Sequence, residues 1–225
     1  MNRRSITLAV LAVSVLVLTA LPGTAAAGEF IGHCESGATC TATTEATGIM
    51  ELESISGERV TCTSMTGVSS FTSGGSTGTI QIRFAGCKES VFNLSCTSAG
   101  QAAGTITTNV MTVHGIYLEP NKTTPGVAVT GINVTLSCGG IIFKTITGNL
   151  MGHIENPECG KFVSHHTVAF EKSATGQPKF KQITTAGAIN DLIMNNDNGG
   201  AYQTVAIVGT SHFTYPAANK VTLTC

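Results

Sequence analysis

Eight cysteines, all downstream of an export-type leader, constrain this 225-residue chain more than any other feature. Arg3 and Arg4 open the chain with positive charge, and Ile6 to Leu21 is an uncharged apolar run. Pro22-Gly23 breaks that run, and Ala25-Ala26-Ala27 supplies a small-residue cleavage pattern. This order of segments predicts a secretory signal peptide over residues 1–27, with the mature chain starting at Gly28. The cysteines follow at Cys34, Cys40, Cys62, Cys87, Cys96, Cys138, Cys159 and Cys225. An even set in an exported chain predicts disulfides rather than metal ligands or redox thiols. The expected location is secreted, extracellular or in the cell envelope.

Eight cysteines admit about a hundred connectivities. Closure of short loops favours Cys34–Cys40, Cys87–Cys96 and Cys138–Cys159. That leaves Cys62–Cys225, which would pin the C-terminus to an early strand. Glu119-Pro120-Asn121-Lys122-Thr123-Thr124-Pro125 is the best linker candidate, but five cysteines precede it and three follow. Both counts are odd, so complete pairing forces at least one bridge across it. The expectation is one all-β domain over residues 28–225, with 119–125 as a surface loop. Its length of roughly 200 residues suits one large β-domain.

Apolar residues recur at period two, the mark of half-buried strands. Ile80, Ile82 and Phe84 share one face of Thr79–Phe84. Val205, Ile207 and Phe213 mark Gln203–Tyr215. In Gly126–Cys138 the alternation runs through Val127 and Val129, then through Ile132, Val134 and Leu136. The parity changes near Gly131, which predicts a bulge or bend there. Other expected strands are Ile49–Ile55, Arg59–Ser64, Thr105–Leu118, Ile141–Thr147, Val163–Glu171, Phe180–Thr184, Ile189–Met194 and Val221–Cys225. Asn195–Gly200 reads as a hairpin loop. No window carries a capped 3.6-residue period. The predicted fold is an antiparallel sandwich or barrel of about ten to twelve short strands, stapled by disulfides.

Charged residues make up only 11% of the chain and the net charge is −1, against an ordinary charged share of roughly 25%. No basic field is present to hold a phosphate backbone, so no nucleic-acid partner is expected. The leader is the one segment approaching a spanning length, and no transmembrane helix is expected in the mature chain. Thr, Ser, Asn and Gly instead cover the surface.

Phe84-Ala85-Gly86-Cys87, Cys96-Thr97-Ser98-Ala99-Gly100, Gly104 to Asn109 and Gly115-Ile116-Tyr117-Leu118 carry a resemblance. Over Thr79 to Leu118 the chain resembles a group of small secreted cysteine-containing β-proteins from high-GC soil bacteria, a group without an assigned function. A fainter echo falls at Cys138-Gly139-Gly140 and Gly148. The resemblance implies export and a cysteine-bearing β-fold, and it carries over no catalytic or binding residue.

Candidate chemistry is sparse. Gly74-Gly75-Ser76-Thr77-Gly78 matches G-x-S-x-G, but a turn precedes the serine and a strand follows, where a nucleophile elbow needs strand then helix. His212, His165 and His166 could serve a triad only with Asp191, Asp197 or a glutamate as the acid. His165 and His166 point to opposite faces of a strand and cannot share a metal in regular geometry. Glu51/Glu53 and Glu155/Glu158 are the paired carboxylates. Asn195–Gly200 fails the spacing of a calcium loop. No catalytic, cofactor-binding or metal residue is therefore assigned, and no cofactor is expected. The expected function is a non-enzymatic β-domain with a binding or structural role toward an unknown extracellular or envelope ligand. The alternatives are a hydrolase centred on His212 and His165, an envelope pore, or a threonine array for ice or crystalline ligands.

Overall fold

The computed structural model describes residues 29–118, 124–180, 193–196 and 201–225, with 193–196 described by backbone alone. The described residues form sixteen strands and no helix. In chain order they are β1 (Ile31–Cys34), β2 (Thr39–Ala46), β3 (Met50–Ser54), β4 (Arg59–Cys62), β5 (Ser64–Thr72) and β6 (Thr77–Ala85). Then come β7 (Lys88–Glu89), β8 (Cys96–Ser98), β9 (Ile106–Thr107), β10 (Met111–Tyr117) and β11 (Pro125–Cys138). The last five are β12 (Ile142–Glu155), β13 (His165–Phe170), β14 (Ile193–Asn196), β15 (Gln203–Thr214) and β16 (Val221–Thr224). The strands exceed the ten to twelve expected because short connectors such as β7, β8 and β9 also pair. All pairings between strands are antiparallel.

The pairing closes on itself. It runs β13–β12–β11–β10–β6–β5–β2–β15, and β15 returns to β13. Of the sandwich and the barrel, the all-β fold thus takes the closed form, with opposed walls packed as in a sandwich. A second circuit lies along the same axis. It passes from β15 to β3, β4 and β7, and crosses to β8 through the Lys88–Ser95 bridge. It continues through β11, β12 and β14 back to β15. β11 and β12 have 14 residues each and β15 has 12. Their length follows from this plan, since these three strands serve both circuits.

The parity change near Gly131 is a β-bulge. The β11–β12 register shifts between Val129 and Ile132, and Gly131 sits at φ 76°. Thr130 and Gly131 together oppose Asn149, so Val129 and Ile132 both reach the core across an interval of three. β10 and β11 pair across residues 119–123, which lie outside the described residues. So do residues 181–184 and 197–200 of the expected strand and hairpin loop, whereas Asn195 and Asn196 belong to β14.

Four disulfides form among the cysteines and none stays free. Cys34 joins Cys40. The other three differ from the short-loop expectation: Cys62 bridges Cys87, Cys96 bridges Cys138, and Cys159 bridges Cys225. Cys87–Cys96, Cys138–Cys159 and Cys62–Cys225 are thus corrected. The cause is the register. Cys96 and Cys138 face each other directly between β8 and β11, and β4 pairs with β7 immediately after Cys87. Cys96–Cys138 is the bridge that crosses the 119–125 segment.

Candidate functional site

The interior is apolar and the exterior polar, as strand alternation dictates. In β2 the exposed Thr39, Thr41, Thr43 and Glu45 alternate with buried Cys40, Ala42 and Thr44. Directly paired residues point to one face, so Phe71, Gly78, Val113, Val129 and Leu150 form one inward row. Large rings need small opposites. A Cβ on Gly152 would stand 2.7 Å from both Phe170 Cε1 and Val168 Cγ1.

Packing leaves two voids within the barrel, each of about 100 Å³. The central void is walled by Met65, Ile80, Ile82, Phe84, Ile132, Val134, Leu136 and Ile146 among others, with Thr44, Thr108, Ser211 and Glu51 as its few polar neighbours. The second void lies under the β1–β16 ribbon, which contributes Gly32 and Leu223, with Phe30 beside them. Phe71, Ile154, Val168 and Phe213 add to its apolar wall, with Ser69, Ser76, Thr77, His166 and Tyr215 among its polar neighbours. Val113, Val127 and Phe213 face both voids. Protein interiors are normally close-packed, and a dry void of this size costs about 2 kcal/mol.

The second void contains the one strongly perturbed histidine. His166 is 5% exposed and pairs in register with Phe213, on the inward side. Its Nδ1 lies 2.9 Å from the Tyr215 hydroxyl, and the ring also has the Pro157 backbone carbonyl as a neighbour. Burial pushes the imidazole down to about 4; the Pro157 carbonyl favours the protonated ring, and His165 opposes it. Burial also raises the Tyr215 phenol well above its usual value. Two further polar side chains are buried elsewhere. Lys144 pairs with Glu58 at 3.0 Å beside Leu136, and the Glu89 carboxylate accepts the Val91 and Phe92 amides.

The sequence candidates fall elsewhere. Ser76 sits in the β5–β6 turn and donates to Glu29 at 2.8 Å, so the G-x-S-x-G match is a hairpin loop. His165 is exposed while His166 is buried, on opposite faces of β13. His212 lies outside, 3.0 Å from Thr167 Oγ1, with Glu45 as its cross-strand neighbour. No hydrogen bond or ion pair joins Glu45 to His212. Glu51 and Glu53 are held by Arg59 and Lys172, and the hydrogen bond from Lys172 keeps the Glu53 carboxyl below its usual range. Glu158 pairs with Lys161 and Glu155 is exposed. Among the described residues no three His, Cys, Asp or Glu side chains could hold a metal, and no helix is long and apolar enough to cross a membrane.

One surface feature is invisible to sequence period. Thr41, Ser70, Thr79, Thr112 and Thr130 line up across five neighbouring strands on the outside. The barrel wall twists, so this hydroxyl row does not present a flat lattice. The voids were likewise missed, and His166 was named as a triad candidate without its inward position, although alternation with Val168 and Phe170 already gives that position. No protein-family model, curated protein or solved structure matches this chain.

Proposed function

We propose that this protein is an exported, non-enzymatic β-barrel that binds a small apolar molecule within the barrel. The observation that carries the reading is the pair of voids in an apolar interior enclosed by a closed ring. Eight-stranded barrels have interiors that side chains just fill, or that hold one small ligand. A ligand in these voids would recover contact energy that empty space forfeits. The leader, the four bridges and the resemblance to secreted proteins support export.

The alternatives have less support. A transmembrane barrel carries an apolar belt outside and a polar lumen, the reverse of the distribution here. The hydrolase reading centred on His212 and His165 finds Thr167 hydrogen-bonded to His212 and no bonded carboxylate beside it, on an open wall.

The test is a titration of the ¹³C-methyl-labelled mature protein with cyclohexane. Saturable shifts at Ile80, Val134, Leu136 and Ile146 are expected, with exterior Val68 and Val110 unaffected. No interior shift up to the solubility limit would refute the reading.

A further inference from the structure

We propose that one end of the barrel is a membrane-docking tip, whose uncharged apolar turns insert into the interfacial layer of a lipid bilayer. The proposal goes beyond interior binding and does not depend on it.

Of the ten large apolar side chains exposed among the described residues, six lie at this end: Ile55, Val91, Phe92, Ile141, Phe143 and Tyr202. Main-chain hydrogen bonds bring their turns together. Ile55 N donates to Thr204 O, which sets the β3–β4 turn beside the start of β15 and Tyr202. Ser90 N donates to Arg59 O, which joins the β7–β8 loop to that turn. Gly139 N donates to Ser95 O, which joins the β11–β12 turn to that loop. Phe143 faces outward on β12, since its neighbour Lys144 is buried.

The framework holds these side chains out. The buried Glu89 carboxylate accepts the Val91 and Phe92 amides at 2.5 Å and 2.9 Å. Cys87 and Cys96 bracket the same loop, and their bridges to Cys62 and Cys138 tie both of its ends to the barrel. Phe92 is 67% exposed on a loop fixed in this way. Its exposure is built in, where a slack loop would fold its apolar side chains against the protein.

Charge and shape select the occupant. None of residues 55–57, 90–95, 139–143 or 201–202 is charged. On the flanking strands Lys144 pairs with Glu58, and Arg59 with Glu51 and Glu53. Insertion therefore buries no ion, which is the costliest group to move out of water. Lys88 is exposed just behind the β7–β8 loop, and a single cation is too little for attachment by charge alone. A stable protein interface takes roughly 20–30 residues from each side, whereas this end offers six apolar side chains on separate turns. A bilayer needs no complementary shape, and the amphipathic ring of Tyr202 suits its interface.

The test is co-sedimentation of the oxidised mature protein with neutral phosphatidylcholine vesicles. It is run at about 0.1 M and about 1 M NaCl, which shortens the screening length from about 10 Å to about 3 Å. Binding is expected at both salt concentrations. Phe92→Ser/Ile141→Ser should weaken it about 10–100-fold, the loss expected from two partly inserted side chains. Val68→Ser/Val110→Ser alters exposed residues away from the tip and should bind as the wild type does. All four positions are exposed, so both variants should fold, which circular dichroism checks. The chain has no Trp, so Phe92→Trp places a single indole at the tip. Its emission should shift to the blue on vesicles and be quenched by brominated acyl chains. No vesicle binding, binding lost at the higher salt, or full binding by Phe92→Ser/Ile141→Ser would overturn the proposal. Self-association that this pair abolishes, with vesicles left unbound, would assign the tip to a second copy of the chain and overturn it equally. None of these results bears on the interior voids.

Discussion

Lowering the pH from 7 to 5 should destabilise this protein through His166 before its carboxylates titrate. The folded ring has its pKa at about 4, against an ordinary 6.5. The unfolded chain therefore binds the proton more readily, and protonation favours unfolding. The stabilisation is fully present above pH 6.5 and is lost as pH falls toward 4. Each unit of difference is worth about 1.4 kcal/mol. Integrating the two titrations gives a loss of about 2 kcal/mol between pH 7 and pH 5, and about 3 kcal/mol by pH 4. Glu53, whose pKa is lowered below 4.5, contributes only at the acid end of this range. The chain has no Trp, so urea unfolding of the oxidised protein is best followed by far-ultraviolet circular dichroism. His166→Asn cannot titrate here and keeps a polar group near the Tyr215 hydroxyl. Its stability should be flat between pH 5 and pH 7. A flat wild-type profile, or an unchanged slope in His166→Asn, would refute the burial account.

Three other outcomes are expected. Cys96→Ser/Cys138→Ser opens a closure of 42 residues and should cost about 4 kcal/mol in the chain-entropy model; peptide mapping of the intact protein should show Cys62 linked to Cys87, not to Cys225. Gly152→Ala forces a methyl against Phe170 and Val168 and should cost about 1–3 kcal/mol in urea unfolding.

The fold class was legible in the chain because alternation is a local property. Val127, Val129, Ile132, Val134 and Leu136 announce both a strand and its bulge. β2 and most of β5 escaped notice for a physical reason. Their inward residues are Cys40, Ala42, Thr44, Met65, Gly67, Ser69 and Phe71, mostly small. Small inward residues erase the hydrophobic period. The disulfides were misassigned because sequence separation measures loop closure, whereas the bond requires neighbouring strands. Cys96 and Cys138 are 42 residues apart in sequence and opposite each other in register. The voids were beyond reach for a similar reason. An unfilled volume belongs to several walls at once, and no single strand encodes it.

Crystals held under xenon pressure test the central claim most directly, since xenon enters dry apolar cavities of this kind. Interior occupancy is expected at two places, one among Ile80, Leu136 and Ile146 and one among Phe71, Val168 and Leu223. Xenon confined to the outer surface, with neither interior position occupied, would contradict a barrel built to hold an apolar ligand.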